Sequence, residues 1–361
     1  MDDARWLRVA YVSESYGPHD YRLLSVAKSV ATEVWHLRMD ATVPSSEERP
    51  SPVGDTRTRL LPSGELTERL DALRTLLDEI KPDVVHAGPL QRVTFPVVLA
   101  TDLPVVAASW GSDLLRAAAK DRVWRDVAAF ALSRASGFLG DCEAVFDVAR
   151  ELGYRGPHAR VPWGIDVSRF HPDGARKRYG PKGAFVILST RNWEEVYDVE
   201  TLARAFARLN CDTGAHLVLC GSGSEEDRLR SILEEASTAG RVTWLGRVKQ
   251  AELPKVYRGA DLYVSTSKSD GSSVSLLEAM GCGRPVLVSD IPGNREWVGT
   301  DEHRFAVGDV EGLEASLRRL AKTPRAEREA LCGLGRARVL RDADWSTAPQ
   351  KLARLYGEVT A

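Results

Sequence analysis

Ser267-Lys-Ser-Asp270-Gly-Ser272-Ser273-Val-Ser-Leu-Leu-Glu278-Ala-Met-Gly-Cys-Gly-Arg-Pro285-Val-Leu-Val-Ser289 reads as a loop, a helix, a turn and a strand in immediate succession. The apolar run Leu262 to Val264 just before it has strand character, Lys268 to Ser273 is a loop of small residues, and Val274 to Met280 opens a helix. Gly281 and Gly283 close that helix, and Pro285 to Ser289 begins the next strand. Strand, helix, strand is the repeating unit of a parallel sheet. The helix start also carries chemistry. Its first N–H groups have no partner within the helix and the dipole is positive there, so a loop of glycine and serine entering it suits an anion, phosphate above all. Asp270 and Glu278 flank that cradle, and carboxylates repel phosphate. They suit hydroxyl groups instead, such as those of a ribose and a hexose carried on one diphosphate.

The alternation continues outward in both directions. Phe185 to Ser189, His216 to Cys220, Val242 to Leu245 and Leu262 to Ser265 are short apolar runs separated by helical patterns. The first half repeats the plan with Leu7 to Val12, Glu33 to Leu37, Asp83 to Ala87, Pro104 to Ser109 and Gly137 to Gly140. Between them, Leu66 to Ile80 places Leu70, Leu73, Leu76, Leu77 and Ile80 at helical spacing. The pattern predicts an α/β protein with two Rossmann-like, doubly wound parallel sheets. We expect a first domain over 1–165, a linker over 166–183 and a second domain over 184–345. The linker assignment rests on Phe170-His-Pro-Asp-Gly and Arg176-Lys-Arg-Tyr-Gly-Pro-Lys-Gly, which carry proline, glycine and charge without strand character. Open parallel sheets bind ligands beyond the carboxyl ends of their strands, so two facing sheets would enclose an interdomain cleft. Ser109-Trp110-Gly111-Ser112-Asp113 and Ser13-Glu14-Ser-Tyr-Gly17-Pro18-His19-Asp20 follow strands of the first half in the same way as the opening stretch follows its strand.

Composition narrows the function. At 361 residues, 43% hydrophobic and 28% charged, the chain is long enough for two cores, and its net charge of −2 gives no overall pull toward nucleic acid. Its 5 cysteines show no metal-ligand spacing and fit a reducing compartment. The first 30 residues lack an apolar signal region and no window approaches eighteen apolar residues, so a cytoplasmic location is expected.

The opening stretch resembles the Glu-x7-Glu motif of the family 4 (GT4) retaining glycosyltransferases of the GT-B fold, here Asp270-x7-Glu278. Similar to the same family are Val161-Pro-Trp-Gly164-Ile-Asp166-Val-Ser-Arg-Phe170-His-Pro172, Cys220-Gly221-Ser-Gly223, Leu245-Gly246-Arg-Val248, and Leu253-Pro-x2-Tyr257 with Ala260-Asp261. Five matches in the family's order are specific where one glycine-rich turn would not be. The resemblance implies transfer of a sugar from a nucleotide-diphosphate-sugar, a UDP-sugar ahead of a GDP-sugar, with retention and without a metal or cofactor. The acceptor would be a hydroxyl of a glycan, a lipid-linked molecule or a small molecule. It implies that Glu278 holds the ribose, Asp270 a hydroxyl of the moving sugar, and the backbone around Ser272, Ser273 and Val274 the phosphate and sugar. Arg191 would neutralise the leaving diphosphate, Val248 would lie against the base, Gly17 and His19 would close over the phosphates, and Asp113 would face the acceptor. A last helix over 346–361, with Leu352, Leu355 and Tyr356 on its apolar face, would cross back to the first domain.

The sequence departs from the family at three points. Val196 and Tyr197 stand where a lysine usually follows the arginine, Trp110 replaces a histidine before the Asp113-like acid, and the first acid of the pair is Asp rather than Glu. Lys268 or Arg295 is the expected substitute for the missing positive charge. Outside the site, His86 fits a hydrogen-bonded strand-end histidine better than a catalyst, and Asp342-Ala-Asp344 lies away from any strand end that could use a metal. Leu114 to Arg134 mixes arginines with alanines and aromatics. A solvated helix is the first reading there, a weak contact with an anionic membrane surface the second. Other enzyme classes on the same fold, an epimerase or a phosphorylase, and a nucleotide-sugar-binding protein without turnover are the competing functions.

Overall fold

A computed structural model describes residues 7–39, 53–209, 213–236, 238–330 and 332–361. The chain forms two compact units, Met1–Val161 with Ser346–Ala361, and Pro162–Trp345.

The first unit is built on a seven-stranded sheet in the order β3-β2-β1-β4-β5-β6-β7, every pairing parallel. The strands are β1 (Arg8–Ser13), β2 (Glu33–Arg38), β3 (Arg57–Leu60), β4 (Val84–Ala87), β5 (Val105–Ala108), β6 (Gly137–Gly140) and β7 (His158–Arg160). Central strands of such a sheet are covered on both faces, which is why β1 and β4 are nearly continuous apolar runs. The helix Leu66–Ile80 buries Leu73, Leu77 and Ile80 against Trp35, Leu37 and Val97, as its spacing predicts. The C-terminal helix Ala348–Thr360 belongs to this unit, where Val359 and Leu355 lie over Gly137 so closely that a Cβ there would meet Val359 Cγ1 at 2.9 Å.

The second unit carries a six-stranded parallel sheet in the order β10-β9-β8-β11-β12-β13. Its strands are β8 (Phe185–Ser189), β9 (Ala215–Cys220), β10 (Val242–Gly246), β11 (Leu262–Ser265), β12 (Val286–Ser289) and β13 (Arg304–Phe305). Alternate residues of β8 serve opposite faces: Phe185 and Ile187 pack with Leu202 and Phe206, Val186 and Leu188 with Tyr257 and Leu277. Residues 166–183, expected as a linker, pack into this unit. Phe170 is buried in the same cluster as Tyr257 and Met280, and Arg258 binds the carbonyls of Ala175 and His171 at 2.8 and 3.1 Å.

In each sheet the strand order reverses next to the first strand of its unit, between β1 and β4 and between β8 and β11. Loops leaving the two strands at such a point diverge and leave a crevice, so the sheet topology itself marks where a ligand fits. Cys142, Cys220, Cys282 and Cys332 form no disulfide, and Cys211 lies outside the described residues. Among the described residues no helix is long and apolar enough to cross a membrane.

Candidate active site

At the switch point of the second sheet, β8 runs out through Thr190 into Arg191. This arginine is 8% exposed and held on several sides. Its Nη1 donates to Ser273 Oγ at 2.8 Å and to Ser275 Oγ at 2.9 Å, its Nη2 lies 2.8 Å from Asp270 Oδ2, and its guanidinium sits over the Tyr197 ring at 4.0 Å. The contact with Asp270 is an ion pair lying off the N–H axes, so Asp270 Oδ2 and Arg191 Nε are both buried without an aligned hydrogen-bond partner. Burial pulls the guanidinium's pKa down, but Asp270 first and then Tyr263, Tyr197 and Tyr257 outweigh it, and the net shift is upward. The cation is secure.

Ser273 is the N-cap of the helix Val274–Gly281 and makes no side-chain cap, because its hydroxyl is turned to Arg191. Ser272 and Ser273 are buried at the mouth of this helix. The loop carrying Asp270 is pressed against the short helix Pro292–Arg295, where a Cβ on Gly293 would meet the carbonyl oxygens of Gly271 and Asp270 at 2.4 and 2.5 Å. Glycine at that position lets the two backbones touch. On the opposite flank, the turn after β9 approaches so closely that a Cβ on Gly221 would lie 2.6 Å from the Arg191 carbonyl oxygen.

Glu278, one turn into the helix, is 4% exposed. Tyr257 donates its O–H to Glu278 Oε2 at 2.8 Å, and Gln250 Nε2 donates to Oε1 at 3.1 Å. Val248, in the loop after β10, is half-buried against the cluster that holds Tyr257. Lys268 lies 3.9 Å from both Glu195 and Asp198, and its backbone N–H donates to Val196 O. Arg295, the other candidate for the missing charge, is bound to Asp290 by both Nε and Nη2 at 2.7 and 2.8 Å. Tyr197 occupies the place of the lysine and gives Arg191 an aromatic face.

The first unit uses its acids differently. Gly17 donates its N–H to Asp20 Oδ2 at 2.8 Å and Tyr11 its O–H to Oδ1 at 3.1 Å, which fixes the loop entering the helix Pro18–Val30. Burial raises the Asp20 pKa to about 6, against the lowering effect of those hydrogen bonds. His19 stands beside Trp110, ring centres 5.8 Å apart. Desolvation first, then Arg22, lowers its pKa to about 4. Its edge is open to solvent, which moderates that shift, and the ring is neutral at pH 7 in either case. Asp113 is 5% exposed, and both its oxygens are taken. Ser109 Oγ donates to Oδ1 at 2.7 Å, Leu114 N and Trp110 N also reach Oδ1, and Leu90 N donates to Oδ2 at 3.1 Å. Burial raises its pKa more than these bonds lower it. In this geometry Asp113 staples the loop after β5 to the one after β4. His86 is fully buried, bonded through Nδ1 to Tyr356 O–H at 2.7 Å, and neutral with a pKa lowered by burial to about 3.

Sequence comparison then places the chain among known proteins. The profile of glycosyl transferases group 1 matches residues 174–332, and that of the glycosyl transferase 4-like proteins matches 41–141. The chain belongs to the family 4 glycosyltransferases of the GT-B fold. It is 30% identical over 219 residues to a D-inositol 3-phosphate glycosyltransferase of Salinispora tropica, covering 55% of this chain and 45% of that one. It is also 30% identical over 209 residues to a GDP-mannose-dependent alpha-(1-6)-phosphatidylinositol monomannoside mannosyltransferase of Mycobacterium tuberculosis, covering 54% of each. The alignments thus span about half the length of these curated relatives. Sucrose-phosphate synthase from Thermosynechococcus elongatus shares the fold at a TM-score of 0.78 and 19% identity, covering 97% of this chain and 98% of that one. Anabaena HepE in complex with UDP and glucose does so at 0.76 and 17%, covering 96% and 98%.

Within this family member, the second unit brings Arg191, Asp270, Ser273 and Glu278 to one helix mouth, with Ser272 and Val274 beside them; Val248 and Lys268 stand on its flanks. Gly17, His19 and Asp113 are in the first unit. Sequence reasoning passed over Tyr263, Ser275, Gln250 and the function of Tyr257. Tyr263 was legible as a phenol in an otherwise aliphatic strand, and Ser275 as a hydroxyl in the first turn of a helix.

Proposed function

We propose that the protein is a retaining, metal-independent glycosyltransferase. Its donor is a nucleotide-diphosphate-sugar, UDP-linked in first place and GDP-linked in second, and its acceptor a hydroxyl of a glycan, a lipid-linked molecule or a small molecule. The observation that carries this reading is the buried cation of Arg191 at the mouth of a helix whose next turn holds Glu278. A leaving diphosphate needs fixed positive charge, and a buried arginine with a helix N-terminus supplies it without reorganisation. Glu278, with its side chain already oriented by Tyr257, suits the ribose hydroxyls, and Asp270 suits a hydroxyl of the sugar. Ser272, Ser273 and Val274 would offer backbone N–H groups to phosphate, Val248 the base contact, and Lys268 a peripheral charge. Gly17 and His19 remain candidates for the donor phosphates. Asp113 acts on the acceptor loop through its shape.

The chemistry is a front-face substitution. The bond from the anomeric carbon to the diphosphate oxygen breaks with its electron pair going to the diphosphate. The acceptor oxygen bonds on the same face, and its proton passes to the leaving phosphate oxygen. Catalysis then comes from positioning and charge rather than from a general base. HepE has been seen with UDP and glucose, and the mycobacterial relative is GDP-mannose-dependent, which supports donors of this chemical class. For a lipid-linked acceptor, the exposed Val123, Trp124 and Phe130 beside Lys120 and Arg122 would give a weak contact with an anionic membrane.

Thermal unfolding with UDP-, GDP- and free-nucleotide panels tests the donor, since a ligand of the native state raises its midpoint by mass action. Wild type should shift with one nucleotide series and Glu278→Ala should not. Absence of any shift in wild type rejects the donor class. Turnover with EDTA present tests metal independence. An epimerised nucleotide sugar without transfer, or a requirement for inorganic phosphate, would assign the site to another reaction. Tight nucleotide binding with no turnover would favour a binding protein, a reading made concrete by Tyr197 in place of the lysine.

A further inference from the structure

Tyr257, from the helix Leu253–Gly259, and Tyr263, from β11, lie fully buried at the base of the site with ring centres 5.9 Å apart. A buried phenol costs free energy unless its hydroxyl finds a partner, and a phenylalanine would fill the same space without that demand. These two hydroxyls find different partners. Tyr257 O–H donates to Glu278 Oε2 at 2.8 Å, and its oxygen lies 2.7 Å from Thr190 Oγ1. Tyr263 O–H donates to Ser275 Oγ at 2.8 Å, and that oxygen also accepts from Arg191 Nη1 at 2.9 Å. With both lone pairs filled, the Ser275 hydroxyl has its proton left for Ser273 Oγ, 3.2 Å away. Ser273 is the second acceptor for Arg191 Nη1. One chain of hydroxyls therefore ends on Glu278 and the other on Arg191. Burial, followed for Tyr257 by the charge of Glu278, raises both phenol pKa values, so each tyrosine stays a protonated donor through the working pH range.

We propose that the two tyrosines are separate positioning residues for the two halves of the donor. Tyr257 sets Glu278 toward the nucleoside hydroxyls, and Tyr263, acting through Ser275, sets Arg191 toward the diphosphate. The inference rests on the donor reading above and adds to it a division of labour. With no lysine after Arg191, the orientation of that single guanidinium carries more of the diphosphate recognition, and four neighbouring groups, Ser273, Ser275, Asp270 and Tyr197, restrain it.

The test uses the full chain as wild type, Tyr257→Phe, Tyr263→Phe and Ser275→Ala, with calorimetric titration of UDP, uridine and 2′,3′-dideoxy-UDP, and the guanosine series in parallel. Tyr263→Phe and Ser275→Ala should weaken the diphosphate about five- to tenfold and leave the nucleoside within about twofold. Tyr257→Phe should weaken diphosphate and nucleoside alike by a similar factor and leave the dideoxy ligand within about twofold. A merely structural role would move all three ligands together. That result, or unchanged affinities in every variant, overturns the division. A wild type that binds neither nucleotide series overturns the donor reading and this inference with it, an outcome distinct from a wild type that binds and variants that match it. Should Tyr263→Phe fail to fold, Ser275→Ala carries the same prediction. Should Tyr257→Phe fail to fold, Glu278→Gln, which replaces the carboxylate that Tyr257 orients, carries the nucleoside half of the prediction.

Discussion

In the first unit, Asp113 stands beyond the end of β5 and gives most of its hydrogen-bonding capacity to main-chain amides. In the second, Asp270 and Glu278 stand beyond the end of β11 and are met by side chains, Arg191 for one and Tyr257 with Gln250 for the other. Both sheets thus place acids beyond the carboxyl ends of their strands, with different consequences. An acid bonded to amides fixes the course of a loop, and removing it costs stability. An acid held by a cation or a phenol has its orientation set while the backbone stands without it, and removing it costs function. The second arrangement also keeps unaligned polar atoms, Asp270 Oδ2 and Arg191 Nε, inside the site. Such atoms are costly in a finished core and useful where a ligand completes them.

The largest break in this comparison is expected from Arg191→Ala. It removes the cation that the leaving group needs and strands Asp270 near the helix mouth, so turnover should fall by about 100-fold or more, on the scale of losing one charged stabiliser of a transition state. Stability should change far less than turnover, since the alanine also relieves the burial of a charge. Steady-state kinetics beside urea unfolding checks this. A loss of turnover of less than threefold would mean that the diphosphate is neutralised elsewhere.

Asp113→Ala should do the reverse. Four donors, Ser109 Oγ and the amides of Leu90, Trp110 and Leu114, lose their acceptor inside the first unit. Unsatisfied buried groups of this kind cost about 2–4 kcal/mol in total, read as a drop in unfolding free energy with nucleotide affinity unchanged. If stability held and turnover alone collapsed, Asp113 would be an acceptor-side acid and the contrast between the units would fail.

The strands that position these loops were legible because central parallel strands are buried on both faces and read as apolar runs. β3, β7 and β13 were not. They are short edge strands, β3 with every residue exposed, and an edge needs no apolar face to pair on its inner side. The packing of residues 166–183 was silent in the sequence for a related reason. That segment is fastened by carbonyls to Arg258 and by one buried ring, Phe170, and neither leaves a periodic signature. At the site, Asp270, Glu278 and Arg191 were readable because their neighbours in sequence form a motif. The hydroxyls that orient them come from residues brought together by the fold: Tyr257 is 21 positions from Glu278, and Ser275 is 84 from Arg191. For Asp113, sequence position gave the loop but not the hydrogen bond from Leu90, which depends on β4 and β5 lying side by side.

Asp20 offers a smaller effect with a definite sign. Its folded pKa of about 6 lies above the ordinary value of 3.8, so its contribution to stability is fully present below 3.8 and is lost as pH rises through about 6. Between pH 4 and pH 7.5, wild type should lose on the order of 2 kcal/mol relative to Asp20→Asn, measured by urea unfolding at each pH. A gain in relative stability over that range would mean that the Gly17 and Tyr11 hydrogen bonds dominate over burial.

Lys268→Ala should have the smallest effect of the set. The side chain is 44% exposed and its ammonium lies 3.9 Å from two carboxylates, so its charge is shared with Glu195 and Asp198 and screened by water. Stability should move by less than about 0.5 kcal/mol. Donor KM should rise by no more than about threefold with kcat held, the pattern of a charge that attracts the donor equally before and during reaction. If kcat fell as far as in Arg191→Ala, Lys268 would be the functional substitute for the missing lysine, and the diphosphate would rest on two cations. If neither constant moved even at low salt, its place beside Val196 would be structural and Arg191 would carry that charge alone.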